Sequence, residues 1–189
     1  LAEYLATDGF EVSVLCGRGG YEGESTNAPL RETRNGVQIR RLRTPNFGRS
    51  SNLGRITDYA AFFIQALGHV LARSSPDYVV TLTTPPLVNV VGAVANLLKN
   101  QPYGIWSMDL HPDGEKALGM IPKEGLVTSA LDGLNDMAHR KADFVVALGR
   151  RMAERIQAKG VRNAGGTGRA EPLPRKIWSS RPVCGTVCW

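Results

Sequence analysis

Short apolar runs alternate along this chain with longer stretches in which apolar residues recur at every third or fourth position. Runs of about four to eight apolar residues bounded by Gly, Pro, Asn or Asp are typical of buried strands, whereas three-and-four spacing is typical of amphipathic helices. The pattern predicts five strands, at residues 10–15, 37–42, 77–82, 103–108 and 144–148.

The same pattern predicts helices between these strands. The longest covers residues 53–72, and its main apolar stripe consists of Ile56, Tyr59, Ala60, Phe63, Leu67, Val70 and Leu71. Phe62 lies beyond that stripe. The favoured interpretation of the Phe62–Phe63 pair is that it packs in the core. In the alternative, Phe62 faces outward, where it would suit a contact with a membrane surface or a partner. The other helices are predicted at residues 1–7, 85–99, 124–140 and 150–159.

Strands that alternate with helices are joined by right-handed crossovers, which align the strands in parallel. The sequence therefore predicts an α/β fold, a Rossmann-like and mostly parallel sheet with helices on both faces. We expect one domain over residues 1–161. After Val161 the periodicity vanishes, and we expect residues 162–189 to form an aperiodic basic tail that is either non-native in character or disordered.

The net charge of +6 does not indicate a nucleic-acid partner. Residues 162–189 account for +4 of it, so the preceding 161 residues carry only +2. The one dense basic cluster, Arg40, Arg41 and Arg43, sits at a predicted strand end and does not follow one face of an element. No apolar run reaches the roughly 18 residues that a membrane span needs, and residues 1–30 show no charged stub followed by an apolar stretch and a small-residue cleavage site. We therefore expect a cytoplasmic location.

The cysteine and glycine patterns predict neither a metal site nor a bound cofactor. Cys16 ends a predicted strand, and Cys184 and Cys188 lie in a tail without histidine, so we expect reduced thiols that bind no metal. The glycines at 17–20 follow a strand, but neither a helix start nor a Gly-Lys-Ser/Thr sequence comes next, which favours a flexible loop. Those at 165–168 follow a helix, which is the wrong context for dinucleotide binding.

The strand end at residues 103–113, YGIWSMDLHPD, carries the strongest candidate for chemistry. The predicted catalytic residues are Asp109, His111 and Asp113, because they follow a buried strand and the carboxyl ends of strands form the ligand crevice of an open α/β sheet. His111 can take or relay a proton near neutral pH, and Asp109 can orient it or bind a sugar hydroxyl. The alternative is that the carboxylates only cap turns around Pro112.

The other two histidines favour structural roles. His69 lies away from the main apolar stripe of its helix, which favours a solvated or partly packed side chain. His139 lies beside Arg140 and Lys141 at a predicted helix carboxyl end, where a positive charge would complement the helix dipole.

Three stretches resemble the amino-terminal domain of GT-B glycosyltransferases, in the large retaining group often called family 4. They are PDYVVTLTTPPL at 76–87, YGIWSMDLHPDGEKALGM at 103–120 and KADFVVALGRRMAERIQAKGV at 141–161, and the likeness covers residues 1–161. The resemblance implies one half of a GT-B fold. It also implies that a group of residues lines the acceptor side of the cleft: Asp109, His111, Pro112 and Asp113, with Thr83, Thr84, Pro85 and Pro86 in the same wall.

The resemblance further implies an enzyme that moves a sugar from a nucleotide-sugar donor to a cell-envelope polysaccharide or a lipid-linked acceptor, with retention at the anomeric carbon. The donor is a substrate, and no separate cofactor or metal is expected. Relatives carry a strand before the first helix and a second Rossmann-like domain that binds most of the donor. We therefore expect this chain to be a fragment without activity of its own, from an enzyme at the inner face of the cytoplasmic membrane.

Two alternatives from other classes stay open. A non-catalytic α/β interaction module would have Asp109 and His111 sealed by packing, without an open cleft beside them. A different Rossmann-type enzyme, dependent on a dinucleotide or on S-adenosylmethionine, would need a glycine turn after its first strand.

Overall fold

The computed structural model describes residues 1–18, 28–45, 47, 52–72, 76–117, 119, 124–161, 164–166 and 185–188. The helices are α1 (Ala2–Thr7), α2 (Asn52–Ala72), α3 (Asn89–Lys99), α4 (Asp113–Ala117), α5 (Leu126–Lys141) and α6 (Arg150–Ala158). The strands are β1 (Val12–Gly17), β2 (Arg31–Arg34), β3 (Val37–Leu42), β4 (Tyr78–Thr81), β5 (Tyr103–Ser107), β6 (Phe144–Ala147), β7 (Ala164–Gly166) and β8 (Gly185–Cys188).

These elements form two compact units. The first contains Leu1–Asp77 together with β8, and its strands lie in the order β2-β3-β1-β8. β1 pairs in parallel with both β3 and β8, while β2 pairs antiparallel with β3 at the edge. The second unit lies within Tyr78–Arg181, and its strands follow the order β4-β5-β6-β7, all parallel. Parallel strands joined by helices confirm the predicted α/β, Rossmann-like fold.

The five predicted strands correspond to β1, β3, β4, β5 and β6, and the five predicted helices to α1, α2, α3, α5 and α6. The sequence pattern misses β2 and α4, which lie in segments where it predicts neither a strand nor a helix, and β7 and β8, which lie in the tail predicted to be aperiodic. These four elements have three to five residues each, and strands as short as these pair through backbone groups that leave little side-chain pattern. Cys184 and most of the tail lie outside the described residues.

The face that helix α2 buries coincides only in part with the predicted main stripe, of which Val70 is buried. Phe62 is 4% exposed and Ala66 and Val70 are buried with it, whereas Ile56, on the predicted main stripe, is 62% exposed. Phe62 therefore packs in the core, as the favoured interpretation has it, and the alternative of an outward-facing Phe62 is wrong. The helix carries apolar residues all round, and periodicity alone cannot say which of two apolar stripes meets the core.

The core of the second unit closes over a glycine in its sheet. Gly104 on β5 lies opposite Phe144 on β6, and the Phe144 ring stacks on Tyr78 of β4 with centroids 5.5 Å apart. A Cβ at Gly104 would overlap the Phe144 ring. The Tyr78 hydroxyl donates to Asp143 Oδ2 at 2.9 Å, and the Tyr103 N–H donates to the same oxygen at 3.2 Å. Burial, with the Asp143 carboxylate adding to it, raises the pKa of Tyr78 far above its usual range, so this hydroxyl stays a donor.

A buried polar cluster joins α3 to α5. Asn89 Nδ2 donates to Asn135 Oδ1 at 2.9 Å, and His139 Nδ1 lies 2.8 Å from the Asn135 carbonyl oxygen. His139 is 5% exposed, and its Nε2 and Asn89 Oδ1 have no hydrogen-bond partner. Burial lowers the pKa of His139, outweighing the Asn135 hydrogen bond, which favours the charged form. His139 therefore sits in the last helical turn, as predicted, but as a neutral core residue and not as a charge that complements the dipole.

Substituting Gly104 tests the aromatic closure over β5. Gly104→Ala should lower the free energy of unfolding by about 1–3 kcal/mol, because the added methyl group must displace the Phe144 ring from its stack on Tyr78. Gly133→Ala is the matched control, since this helical glycine has open space around its Cβ position and should gain up to about 1 kcal/mol. Urea unfolding measures the free energy of unfolding of both variants. Equal stability of the two would show that the Phe144 ring does not pack on Gly104.

The buried His139 predicts a pH dependence of stability. The pKa of His139 in the folded protein lies below its unfolded value of about 6.5. The stability that the neutral imidazole contributes is therefore complete above about pH 6.5, and it is lost as the pH falls from about 6.5 towards the folded pKa. Wild-type protein should lose up to about 1.4 kcal/mol per pH unit in this window relative to His139→Gln, which does not titrate. Unfolding curves at several pH values give the slope, and identical slopes for both proteins would show that His139 is not buried neutral.

Candidate functional site

The carboxyl ends of β4 and β5 are held together by one hydroxyl group. The two strands pair in parallel with Thr81 opposite Ile105, so the residues that follow them meet at the same edge of the sheet. Thr83 follows β4 and is 5% exposed. Its Oγ1 accepts hydrogen bonds from the backbone N–H groups of Met108 and Asp109, each at 3.1 Å. Thr83 and Asp109 are thus brought together by a contact that joins the two strand ends.

Asp109 is held by its backbone and exposed at its side chain. Its N–H donates to Thr83 as above, and its carbonyl oxygen accepts from Ser107 Oγ at 3.2 Å. Ser107 is fully buried, whereas Asp109 is exposed. The backbone that carries this exposed carboxylate is therefore fixed on both sides, which limits the space that the carboxylate can reach.

His111 is supported from helix α5. Its carbonyl oxygen accepts a hydrogen bond from Asn135 Nδ2 at 2.8 Å, which connects the strand-end loop to the Asn89–His139 cluster. The His111 residue is partly exposed, and Pro112, joined to it by a cis peptide bond, is buried. The imidazole is therefore carried by a loop whose backbone is tied to the core of the second unit.

Asp113 has a charged partner on another helix. It opens α4, and its carboxylate lies 3.0 Å from Lys159 Nζ, next to α6. The same ammonium group lies 3.8 Å from Asp136 Oδ1 on α5. The side chains of Lys159 and Asp113 are about one quarter exposed, so the ion pair is partly shielded from solvent. This contact links α4 to the end of α6.

Thr84 and Pro85 form the turn between Thr83 and α3. Their peptide bond is cis, Thr84 is exposed, and the Pro85 carbonyl oxygen accepts from Val88 N at 3.1 Å. Of the predicted residues, the structure therefore joins Thr83 directly to Asp109. It supports His111 from Asn135 and pairs Asp113 with Lys159, so each of the three ionisable residues is fixed by a different contact.

Two residues that support the site are missing from the sequence prediction. Asn135 and Lys159 lie 24 and 46 positions from the residues that they contact, so local spacing gave no reason to connect them. A sequence signal does exist for Asn135. It falls in the same helical row of α5 as the buried residues Thr128, Ala138 and His139, and a buried amide in such a row needs hydrogen-bond partners.

The described residues of the first unit have polar features of their own. A shallow depression of about 220 Å³ in the first unit is lined by residues of β1, β2 and β3, none of which is a predicted site residue. Cys16 is a free thiol whose pKa is raised, chiefly by burial. Among the residues that the structure describes, no three His, Cys, Asp or Glu side chains converge as metal ligands would.

Comparison with known families identifies the family of the chain. Residues 1–165, which are most of the 189-residue chain, match the family described as glycosyl transferase 4-like domain. No individual curated protein matches the chain. The family match and the parallel α/β units together confirm the resemblance to the amino-terminal domain of GT-B-type glycosyltransferases. The chain belongs to the glycosyl transferase 4-like domain family.

Proposed function

We propose that this domain binds the acceptor in an enzyme that transfers a sugar from a nucleotide-sugar donor to a cell-envelope polysaccharide or a lipid-linked saccharide. Family membership supports glycosyl transfer in general. The finer assignment, including the bacterial surface polysaccharide type and the inner face of the cytoplasmic membrane, rests on the likeness of the strand-end sequences at 76–87 and 103–120.

The hydrogen bonds of Thr83 are the observation that carries the proposal. Its buried hydroxyl accepts from two successive N–H groups at the end of β5, and the second of these belongs to Asp109. These hydrogen bonds fix the backbone that carries an exposed carboxylate at the carboxyl edge of a parallel sheet. They support ligand binding there, because this edge is where open α/β sheets bind their substrates.

In this proposal Asp109 binds the acceptor hydroxyl and His111 relays its proton. The acceptor oxygen forms a bond to the anomeric carbon as the bond between that carbon and the diphosphate oxygen breaks, and the diphosphate leaves with the electron pair. The proton lost by the acceptor passes to Asp109 or His111. Stabilisation of the leaving diphosphate belongs to a donor-binding domain, and such preorganised electrostatics supply a large share of the rate.

The remaining predicted residues act through position. Asp113, paired with Lys159, holds the start of α4 and thereby the loop that carries His111. Thr84 is exposed in the turn after Thr83, and Pro85 and Pro112 shape the two loops that face this edge. We infer that Thr84, Pro85 and Pro112 line the acceptor wall, and that Asp113, although a predicted catalytic residue, acts through its position and not by proton transfer.

The roles of Asp109 and His111 can be tested in an enzyme that supplies a donor-binding domain to this chain. Asp109→Asn and His111→Ala should each lower kcat by about a hundredfold or more, because each removes a proton acceptor while leaving the backbone contacts in place. Thermal unfolding of the same variants serves as the control. Full activity in either variant, or a loss explained by unfolding, would remove that residue from the mechanism.

The bridge made by Thr83 predicts a contrast between two substitutions. Thr83→Val keeps the shape but leaves the N–H groups of Met108 and Asp109 without an acceptor, which costs about 1–3 kcal/mol and displaces Asp109. Thr83→Ser retains the hydroxyl and should preserve both amide exchange rates and turnover. Amide hydrogen exchange at the two positions should accelerate only in Thr83→Val, and acceleration in neither variant would show that the bridge is not formed.

A further inference from the structure

Helix α5 carries a row of polar residues along one side. Like the other described helices, α5 is not long and apolar enough to cross a membrane. Four residues spaced by three, one and three positions make up the row: Asp132, Asn135, Asp136 and His139. Three of them meet the segment that follows the end of β5, either directly or through Lys159. We call residues 111–116 the His111 segment.

Asn135 holds the backbone of His111. It is 5% exposed, and both ends of its amide are used. Nδ2 donates to the His111 carbonyl oxygen at 2.8 Å, and Oδ1 accepts from Asn89 at 2.9 Å. A rotation that exchanged the two ends would lose both contacts, because an oxygen would then face the His111 carbonyl. The orientation of the Asn135 side chain is therefore fixed, with its donor directed at the His111 segment.

Ion pairs hold the other end of the His111 segment. The Lys116 ammonium group pairs with the Asp132 carboxylate on α5. Asp113 pairs with Lys159, which also lies 3.8 Å from Asp136 Oδ1. The side chains of these residues are between 20% and 30% exposed, so solvent screens the pairs only in part. The two charged side chains described in α4 are thus both paired, one with α5 and one with the end of α6.

Apolar packing contributes little to the position of the His111 segment. Among its described side chains only that of Pro112 is buried, and Gly114 has no side chain. His111, Asp113 and Lys116 are partly exposed. A segment without an apolar face takes its position from directional polar contacts, so the row on α5 decides where the segment lies.

We propose that Asn135, together with the Lys116–Asp132 pair, positions His111 for proton transfer, an inference that rests on the proposed function. Asn135 fixes the backbone of His111, and the ion pair fixes the helix that follows it, so the imidazole keeps one location at the edge of the sheet. Proton transfer is steeply sensitive to such placement, because a displacement of about 1 Å can lower a rate about a hundredfold. Asn135 and Asp132 are positioning residues that act through His111.

Exchanging the two charges tests the ion pair. Lys116→Asp and Asp132→Lys should each lower kcat about fivefold and change KM less than about twofold, because His111 acts in the transition state. The double variant, Lys116→Asp with Asp132→Lys, rebuilds the pair in reverse and should recover kcat to within about twofold of wild type. Turnover is measured in an enzyme that supplies a donor-binding domain to this chain. Losses that add in the double variant would overturn the role of the pair.

Two asparagines that make the same kind of contact test the amide. Asn135→Asp keeps an oxygen for Asn89 but replaces the donor to the His111 carbonyl by a second oxygen, so kcat should fall about tenfold. Asn96 on α3 is the matched control, since its Nδ2 donates to the Gln101 carbonyl oxygen at 3.1 Å from a half-buried position. Asn96→Asp should lower stability without changing kcat. Equal losses of kcat in the two variants would overturn the role of Asn135.

NMR of the 189-residue chain reads the position of His111 directly, without a sugar substrate. The chain contains three histidines, so the imidazole signals of His111 are identified by their loss in His111→Ala. These signals should shift in Asn135→Asp and in Lys116→Asp, return in the charge-exchanged double variant and stay unchanged in Asn96→Asp. The ion-pair variants change partly exposed residues, so they decide the question if Asn135→Asp does not fold.

The NMR and turnover results separate this inference from the proposed function. Shifted His111 signals together with a lower kcat support both. Unchanged signals in Asn135→Asp and Lys116→Asp, with His111→Ala inactive, would overturn only the positioning role. Full turnover in His111→Ala would overturn the proposed role of that residue, and the positioning role with it.

Discussion

Parallel pairing between β4 and β5 is the constraint on which the second unit depends. It brings the ends of both strands to one edge, so that Thr83 and Asp109 become neighbours although 26 positions separate them in the chain. The Thr83 hydroxyl then replaces the ladder contacts that are lost where the strands end, by accepting two N–H groups. A backbone that would otherwise be free to move is fixed at the position where an exposed carboxylate is presented.

The core and the candidate site of this unit share one hydrogen-bond network. Asn135 accepts from Asn89 through its side-chain oxygen and donates to the His111 carbonyl through its side-chain nitrogen. A single buried amide therefore joins the α3–α5 packing to the loop that carries the imidazole. Buried polar groups are costly unless partnered, and such a network gives the loop a unique position relative to the sheet.

Helix α2 shows a limit of prediction from the pattern of apolar residues. Its apolar residues occupy two stripes, and the one with the better three-and-four spacing includes the exposed Ile56, while Phe62, predicted to lie outside the stripe, is buried. Hydrophobic periodicity reports that a helix is amphipathic or apolar, but the side that meets the core depends on what lies beside it in space. Which apolar residues of α2 are exposed is therefore decided by the fold and not by the spacing.

The sequence by itself determined the order of the principal strands and helices, because strand and helix periodicities are local and the apolar runs are strong. It also determined that Asp109, His111 and Asp113 follow a buried strand, since this needs only the end of an apolar run. Only the tertiary structure decided their surroundings. Thr83, Asn135 and Lys159 reach these residues across 26, 24 and 46 positions, and contacts of that kind arise from the packing of strands and helices and leave no periodic signal in the chain.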